Sequence, residues 1–226
     1  MFWQEDKGKD QVEVPDAILD LTFTIHCKEI PIGHAWLLWE ALQVALPWLA
    51  EEPKAGVHQI YIPESGNGWM RPTDPNALMY PSRRSRLVLR LPKERLDDAL
   101  SLQEQTLALG SYMVKVGEGK VKPLSLITTQ TCRYMESFPD ETEDQFLQRI
   151  ANELAKLRIK VRKMLCGKSH DIALPGQTIY TRSIMLAELT VDDAILLQQE
   201  GIGAHRNFGC GLFMPSKSIS AVSGKE

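Results

Sequence analysis

The order of apolar and polar positions predicts two rounds of one architecture. In residues 17–25, Leu19, Leu21, Phe23 and Ile25 alternate with smaller or polar residues, which predicts a half-buried strand. Pro31-Ile32-Gly33 breaks it. Residues 34–49 are helical in period and nearly all apolar, a helix buried on most sides, with Pro47 bending or closing its last turn. Residues 57–62 predict a second strand. Residues 65–85, rich in Gly, Pro, Asn and Arg, predict a long loop. Residues 86–91 alternate cleanly as a third strand. Pro92 then opens a helix running to about Glu104. Residues 107–116 give a fourth strand, interrupted at Gly110. The order is βαββαβ, the ferredoxin-like pattern.

The second round follows at once. Residues 121–134 predict one long strand. Residues 140–157 predict a helix, with Thr142 and Gln145 at capping-box spacing and Phe146, Leu147, Ile150, Leu154 and Leu157 as its apolar stripe. Residues 159–165 alternate apolar with basic, a strand carrying an outward basic row. Residues 177–189 predict a further strand. Thr190 caps a helix over 191–200, with Asp192 and Asp193 at its positive end. A glycine-rich loop over 201–211 leads into a final strand over 212–215. The expected fold class is therefore α+β, as tandem ferredoxin-like (RRM-like) βαββαβ domains with a C-terminal glycine-rich loop. The expected domains are 17–119 and 120–215, between a flexible lead-in (1–16) and a flexible tail (216–226).

Composition narrows the class. At 43% hydrophobic and 24% charged residues, the chain is neither disordered nor fibrous. No apolar run is long enough to span a bilayer, and the N-terminus has no secretory pattern. These features predict a cytoplasmic protein without membrane partners. Cys27, Cys132, Cys166 and Cys210 are widely spaced with no CxxC pair, which argues against a zinc site. The formal net charge of −3 hides a contrast: residues 1–120 carry −4 and residues 121–226 carry +1. Lys156, Arg158, Lys160, Arg162, Lys163 and Lys168 follow one another without an intervening acid, and Arg83, Arg84, Arg86 and Arg90 form a second cluster. Local patches of this kind bind phosphate.

The segment Gly201-Ile202-Gly203-Ala204-His205-Arg206-Asn207-Phe208-Gly209-Cys210-Gly211 follows a helix and precedes a strand. Rossmann and P-loop glycine runs have the opposite order. Four glycines free the backbone to aim successive N–H groups at an anion, and His205 and Arg206 add side-chain donors. On spacing alone, a simple helix-to-strand connection fits equally well.

With these residues in view, the chain resembles the CRISPR-associated endoribonucleases of the Cas6 family, in its myxobacterial-type subgroup, within the RAMP superfamily of RNA-binding proteins. The resemblance is carried by Gly201-Ile202-Gly203, Arg206 and Gly209-Cys210-Gly211-Leu212-Phe213, and by Pro31-Ile32-Gly33-His34-Ala35-Trp36-Leu37-Leu38-Trp39. It implies a substrate, the repeat RNA of a CRISPR precursor. It implies one cut per repeat without metal or cofactor, leaving a cyclic phosphate and a 5′-hydroxyl. It also implies that the mature crRNA is kept within a surveillance complex such as Cascade, alongside other subunits.

Metal-free RNA cleavage needs a base for the 2′-hydroxyl and donors for the phosphorane. His34, at a helix start whose peptide dipoles disfavour its charged form, is the expected catalytic base. His205 and Arg206 are the expected auxiliary group or transition-state cation, with Lys160 and Arg162 as further candidates. Expected RNA contacts are Gly201, Gly203, Arg206, Gly209 and Gly211 in the loop, Lys156, Arg158, Lys160, Arg162 and Lys163 in one cluster, and Arg83, Arg84 and Arg86 in the other. Tyr61, Trp69, Tyr80 and Phe208 are candidate stacking surfaces, although packing is the better reading of Tyr61. His26 reads as structural, and His58 and His170 as ordinary surface or loop residues. The first alternative is a non-catalytic RNA-binding subunit of the same superfamily. A further one is an unrelated ferredoxin-like interaction or metabolite-binding module.

Overall fold

The computed structural model describes residues 14–62, 72 and 74–216. The first half contains β1 (Ile18–His26), β2 (Ile30–Pro31), α1 (Ala35–Ala45), β3 (Gly56–His58), β4 (Leu78–Met79), β5 (Arg86–Pro92), α2 (Leu96–Leu100), β6 (Thr106–Leu109) and β7 (Tyr112–Lys122). The second contains β8 (Gln130–Glu136), α3 (Glu143–Lys156), β9 (Lys163–Ser169), β10 (Ile172–Leu174), β11 (Gln177–Ile179), β12 (Thr181–Ala187), α4 (Val191–Glu200) and β13 (Met214–Pro215). One sheet has the order β3-β5-β1-β7-β6 and the other β13-β8-β12-β9. Every pairing within them is antiparallel.

The alternation of β1 places Leu19, Leu21, Phe23 and Ile25 in the first core, against Leu38 and Leu42 of α1 and Leu87, Leu89 and Leu91 of β5. Full burial of each large side chain contributes about 1.5–3 kcal/mol. In the second half, Phe146, Ile150 and Leu154 of α3 pack on Cys132, Ile184, Leu186 and Phe213. Tyr134, Phe208 and Cys210, late in the chain, join the first core, so the two halves interlock.

Several expected elements differ. The long strand over 121–134 is two strands in different sheets, because Pro123 has no N–H to continue a ladder. The boundary expected between 119 and 120 falls inside β7. The interruption at Gly110 is a hairpin turn: Leu109 pairs with Tyr112, and Gly110 has φ +62°, a conformation glycine adopts without a Cβ penalty. The helix expected over 34–49 ends at Ala45, and Pro47 opens a separate 3-10 turn, Pro47–Glu51. The helix from Pro92 is a 3-10 turn followed by the short α2. Within the expected long loop, β4 pairs with β2.

The strand expected over 159–165 begins only at Lys163. Residues 157–159 instead close α3: Arg158 is left-handed at φ +60°, its N–H reaches Ala155 O, and Ile159 N–H reaches Leu154 O. That is a Schellman closure, in which the apolar residue after the turn returns to the helix. The burial of Ile159 therefore mimicked strand alternation. The strand expected over 177–189 is β11 and β12, and β11 forms a hairpin with β10.

Candidate nucleic-acid interface

The register of the first sheet sets its second face. Gly56, Arg90 and Asp20 form one cross-strand rung, and His58, Val88 and Thr22 the next. All six residues lie opposite the apolar core. Arg90 bridges from this face to the second half. Its guanidinium donates to both carboxylate oxygens of Asp20 at 2.7 and 2.9 Å, and to the carbonyls of Gln198 and Phe213 at 3.0 and 2.7 Å. Burial pushes the Asp20 carboxyl up, but the charge and hydrogen bonds of Arg90 outweigh it and hold the group below the usual carboxylate range. At Gly56 there is no side chain, and Leu212 fills the space: an added Cβ would lie 2.7 Å from its Cδ2.

Beside this clasp is a cleft between the two sheets. Its cavity of about 170 Å³ is lined by His58 and Tyr61, by Arg84 and Arg86, and by Arg133 and Met214 from the second half, with Gly209 at its edge. None of the described residues lining it is acidic. The Arg133 guanidinium lies 3.8 Å over the Tyr61 ring. Arg86 donates to the carbonyls of Arg83 and Ser85, which fixes the turn that presents the exposed Arg83 and Arg84. Expected contacts Arg84 and Arg86 thus share one cationic groove.

His34 does not lie on it. The imidazole is fully buried. Its Nδ1 lies 3.0 Å from Pro31 O and 3.2 Å from Ile32 O, and its Nε2 lies 3.0 Å from Ile60 N. Carbonyls only accept and an amide only donates, so the proton sits on Nδ1, and the Nε2 lone pair is taken by Ile60. The expectation of an accepting nitrogen open to substrate is not met in this conformation. The ring instead ties the 31–34 turn to the chain that leaves β3.

The glycine loop differs from its expected use as well. Gly201, Gly203, Gly209 and Gly211 all have positive φ, as does His205, but the loop's amides largely serve the loop. N–H groups of Gly201, Ile202, Phe208, Gly209, Cys210 and Gly211 bond to Leu197, Gly211, His205, Arg206, His205 and Tyr134 carbonyls respectively. They are not free to converge on an anion. Arg206 is not a free cation either: its guanidinium donates to the carbonyls of Lys54, Ala55, Gln199 and Glu200. Burial first, then Arg90, lowers its pKa to about 10. It clasps the loop to the first half. His205 is reachable, with its side chain 34% exposed and Nε2 3.7 Å from Glu136 Oε1. It lines a second cavity of about 420 Å³ together with Trp39, Glu52 and Asn207.

The cluster at 156–163 lies elsewhere. Lys156 pairs with Glu153, and Lys163 with Glu188. Arg158, Lys160 and Arg162 are exposed on the closure of α3, leading into β9. That edge is separated from β13 by β8 and β12, so this patch does not share the cleft. Phe208 is buried against Trp36 and Trp39, with ring centroids 6.0 and 6.3 Å away, and Tyr80 is exposed. Trp69 lies outside the described residues. Among the described residues no cluster of His, Cys, Asp or Glu could hold a metal ion, and no helix is long and apolar enough to cross a membrane.

Sequence reasoning did not single out Arg133, took His58 for an ordinary surface or loop residue, and counted Arg90 with a phosphate-binding cluster, whereas His58 and Arg90 are both buried and Arg90 is spent on Asp20 and two carbonyls. The available signal was weak: one histidine and one arginine at alternating positions of short strands, and an arginine inside an apolar run.

Paired antiparallel sheets with helices and a cationic cleft between them define an α+β class suited to a polyanionic ligand. The particular family follows from comparison: the Cas6 family model, described as Cas6 Crispr, matches residues 19–218, and the chain belongs to that family. A CRISPR-associated endonuclease Cas6 of Myxococcus xanthus (strain DK1622) is 24% identical over 204 residues, covering 90% of this chain and 84% of that one. Two solved structures share the fold. One, titled CRISPR associated protein Cas6, has a TM-score of 0.58 at 14% identity, covering 88% of this chain and all of the other. The second, titled an RAMP protein binding different RNA substrates, has a TM-score of 0.61 at 11% identity, with the same coverage.

Proposed function

We propose that this chain cuts CRISPR precursor RNA within the repeat, without metal, by attack of a 2′-hydroxyl on the adjoining phosphate. As a Cas6-family protein it is a CRISPR-associated endonuclease of crRNA processing. The observation that carries the finer reading is the cleft between the two sheets, lined by Arg84, Arg86 and Arg133 with no acid among the described lining residues. Phosphates fix the register of an RNA on such a surface. We read the two sheets as tandem ferredoxin-like units, since each places its strands in that fold's order, and the 201–211 loop as the wall that joins them. His205, which lines the neighbouring second cavity, is kept as the auxiliary group. His34 supports the cleft by holding Ile60, and it becomes a base only if RNA draws Ile60 away. We extend the reading to retention of the crRNA and to work beside other subunits of a surveillance complex.

The test is repeat RNA incubated with the purified protein in EDTA. A single cut is expected, leaving a 2′,3′-cyclic phosphate and a 5′-hydroxyl. Cleavage that appears only on adding magnesium overturns the mechanism. The sealed ring of His34 favours one other reading, an RNA-binding member that does not cut. Tight repeat binding with no product under any condition would establish that reading instead.

A further inference from the structure

Arginines shielded from solvent in this protein follow one rule, and one of them breaks it. Among the described residues Arg86, Arg90, Arg95, Arg149, Arg182 and Arg206 are half-buried or buried. Each donates to a carboxylate or carbonyl oxygen of the protein. Arg133 is half-buried too, but its hydrogen-bond partner among the described residues is the Met214 sulfur, 3.6 Å from Nη1, a weak acceptor. Taking a charge out of water costs stability unless an acceptor or an opposite charge replaces the water. The side chain is nevertheless fixed. Its Cζ stands 3.8 Å from the centre of the Tyr61 ring, the contact by which an aromatic face holds a planar cation. That contact engages the face of the guanidinium and leaves its edge N–H groups for a ligand. Arg133 lines the cavity of about 170 Å³ that Arg84 and Arg86 also line.

We propose that Arg133, held by Tyr61, is a phosphate clamp: its fork of N–H groups grips the non-bridging oxygens of one phosphodiester of the repeat RNA. This rests on the RNA-binding part of the reading above and not on cleavage. A phosphodiester spreads its negative charge over two equivalent oxygens, which match the spacing of the fork. A base edge offers acceptors without charge and would leave the field of the three arginines unneutralised. The exposed Arg84 stands where it draws the backbone in, while Arg86 is spent on the carbonyls of Arg83 and Ser85. Tyr61 acts through Arg133, as a positioning residue. The clamp sets which phosphate lies in the cleft, and so the register of the RNA. It takes no part in making or breaking bonds at the cut.

The test is a double-mutant cycle between protein and RNA. Wild type, Arg133→Gln and Arg133→Lys are titrated with repeat RNA of native backbone and with a set carrying one neutral methylphosphonate each. All carry a 2′-deoxy nucleotide at the mapped cut. Arg133→Gln should bind the native backbone about 10- to 100-fold more weakly, the range for hydrogen bonds to charged groups, with a salt slope lower by about 1. At one methylphosphonate position the wild type should lose as much and Arg133→Gln nothing further, while elsewhere the two losses multiply. Arg133→Lys keeps the charge without the fork and should fall between the two; it carries the cycle if Arg133→Gln unfolds. Tyr61→Leu should weaken the grip on that same phosphate, and Tyr61→Phe should not. At saturating protein, Arg133→Gln should cut cleavable RNA within about threefold of the wild-type rate. Coupling of residue 133 to a base substitution, coupling to no phosphate, or a saturated rate more than about tenfold lower overturns the clamp. A wild-type protein that binds repeat RNA without cutting overturns the nuclease reading, and the cycle still decides the clamp. One that does not bind it overturns both.

Discussion

Three histidines illustrate how far a residue's role depends on its two ring nitrogens. His34 spends both on backbone groups, His205 leans on a carboxylate at the surface, and His58 keeps one unpaired. Replacing His34 by Ala should lower the unfolding free energy by about 2–4 kcal/mol, from a cavity plus an orphaned Ile60 amide. Urea titration checks this, and an unchanged midpoint would mean the ring is not a strut. The pKa of His58 has a stability consequence of its own. The unfolded ring takes up a proton near pH 6.5, while the folded one resists until about pH 3. Between those values the unfolded chain binds more protons, so stability falls as pH falls. By pH 4 the loss from this group is about 3 kcal/mol. His58→Phe should flatten that part of the stability–pH curve, measured by urea titration from pH 7 to pH 4.

At the scale of elements, local chemistry was readable wherever it was self-contained. Thr142 accepts from Gln145 N–H while the Gln145 side chain accepts from Thr142 N–H, the capping box read from spacing alone. Thr190 caps α4 through Asp193 N–H. The closure of α3 was misread because Ile159 and Val161 have the spacing of a strand, and because a left-handed arginine gives no signal that a glycine would give. Arg158→Gly should stabilise the protein by up to about 1 kcal/mol, since glycine adopts that conformation without a Cβ penalty. Thermal melting checks it, and a destabilised variant would show that the arginine side chain anchors the turn.

For the whole molecule, the two basic clusters read as one resource in sequence but occupy different edges. Arg84 lies in the cleft, and Lys160 lies near the β9 edge across the second sheet. If RNA follows the cleft, Arg84→Ala should reduce the slope of log K against log salt by about 1. Lys160→Ala should leave it nearly unchanged. Equal effects on repeat-RNA binding would place the RNA across both surfaces. The clasps of Arg90 and Arg206 work at this scale too, joining halves whose sequences carry no sign of the contact. Removing one partner of a buried ion pair such as Arg90–Asp20 typically costs about 3–5 kcal/mol, so both arginines belong to architecture before they belong to RNA.

The sequence by itself determined the coarse alternation of helices and strands, the helix caps, the apolar faces and the family, because periodicity, capping and short motifs act within a few residues. Only the tertiary structure decided which imidazole is sealed, which is unpaired and which arginines are spent on carbonyls. Those outcomes depend on partners far away in the chain: Ile60 lies 26 residues from His34, and Ala55 lies 151 from Arg206. A side chain's chemistry is fixed by what occupies its hydrogen-bonding atoms, and pairing across such distances leaves no periodic trace along the chain.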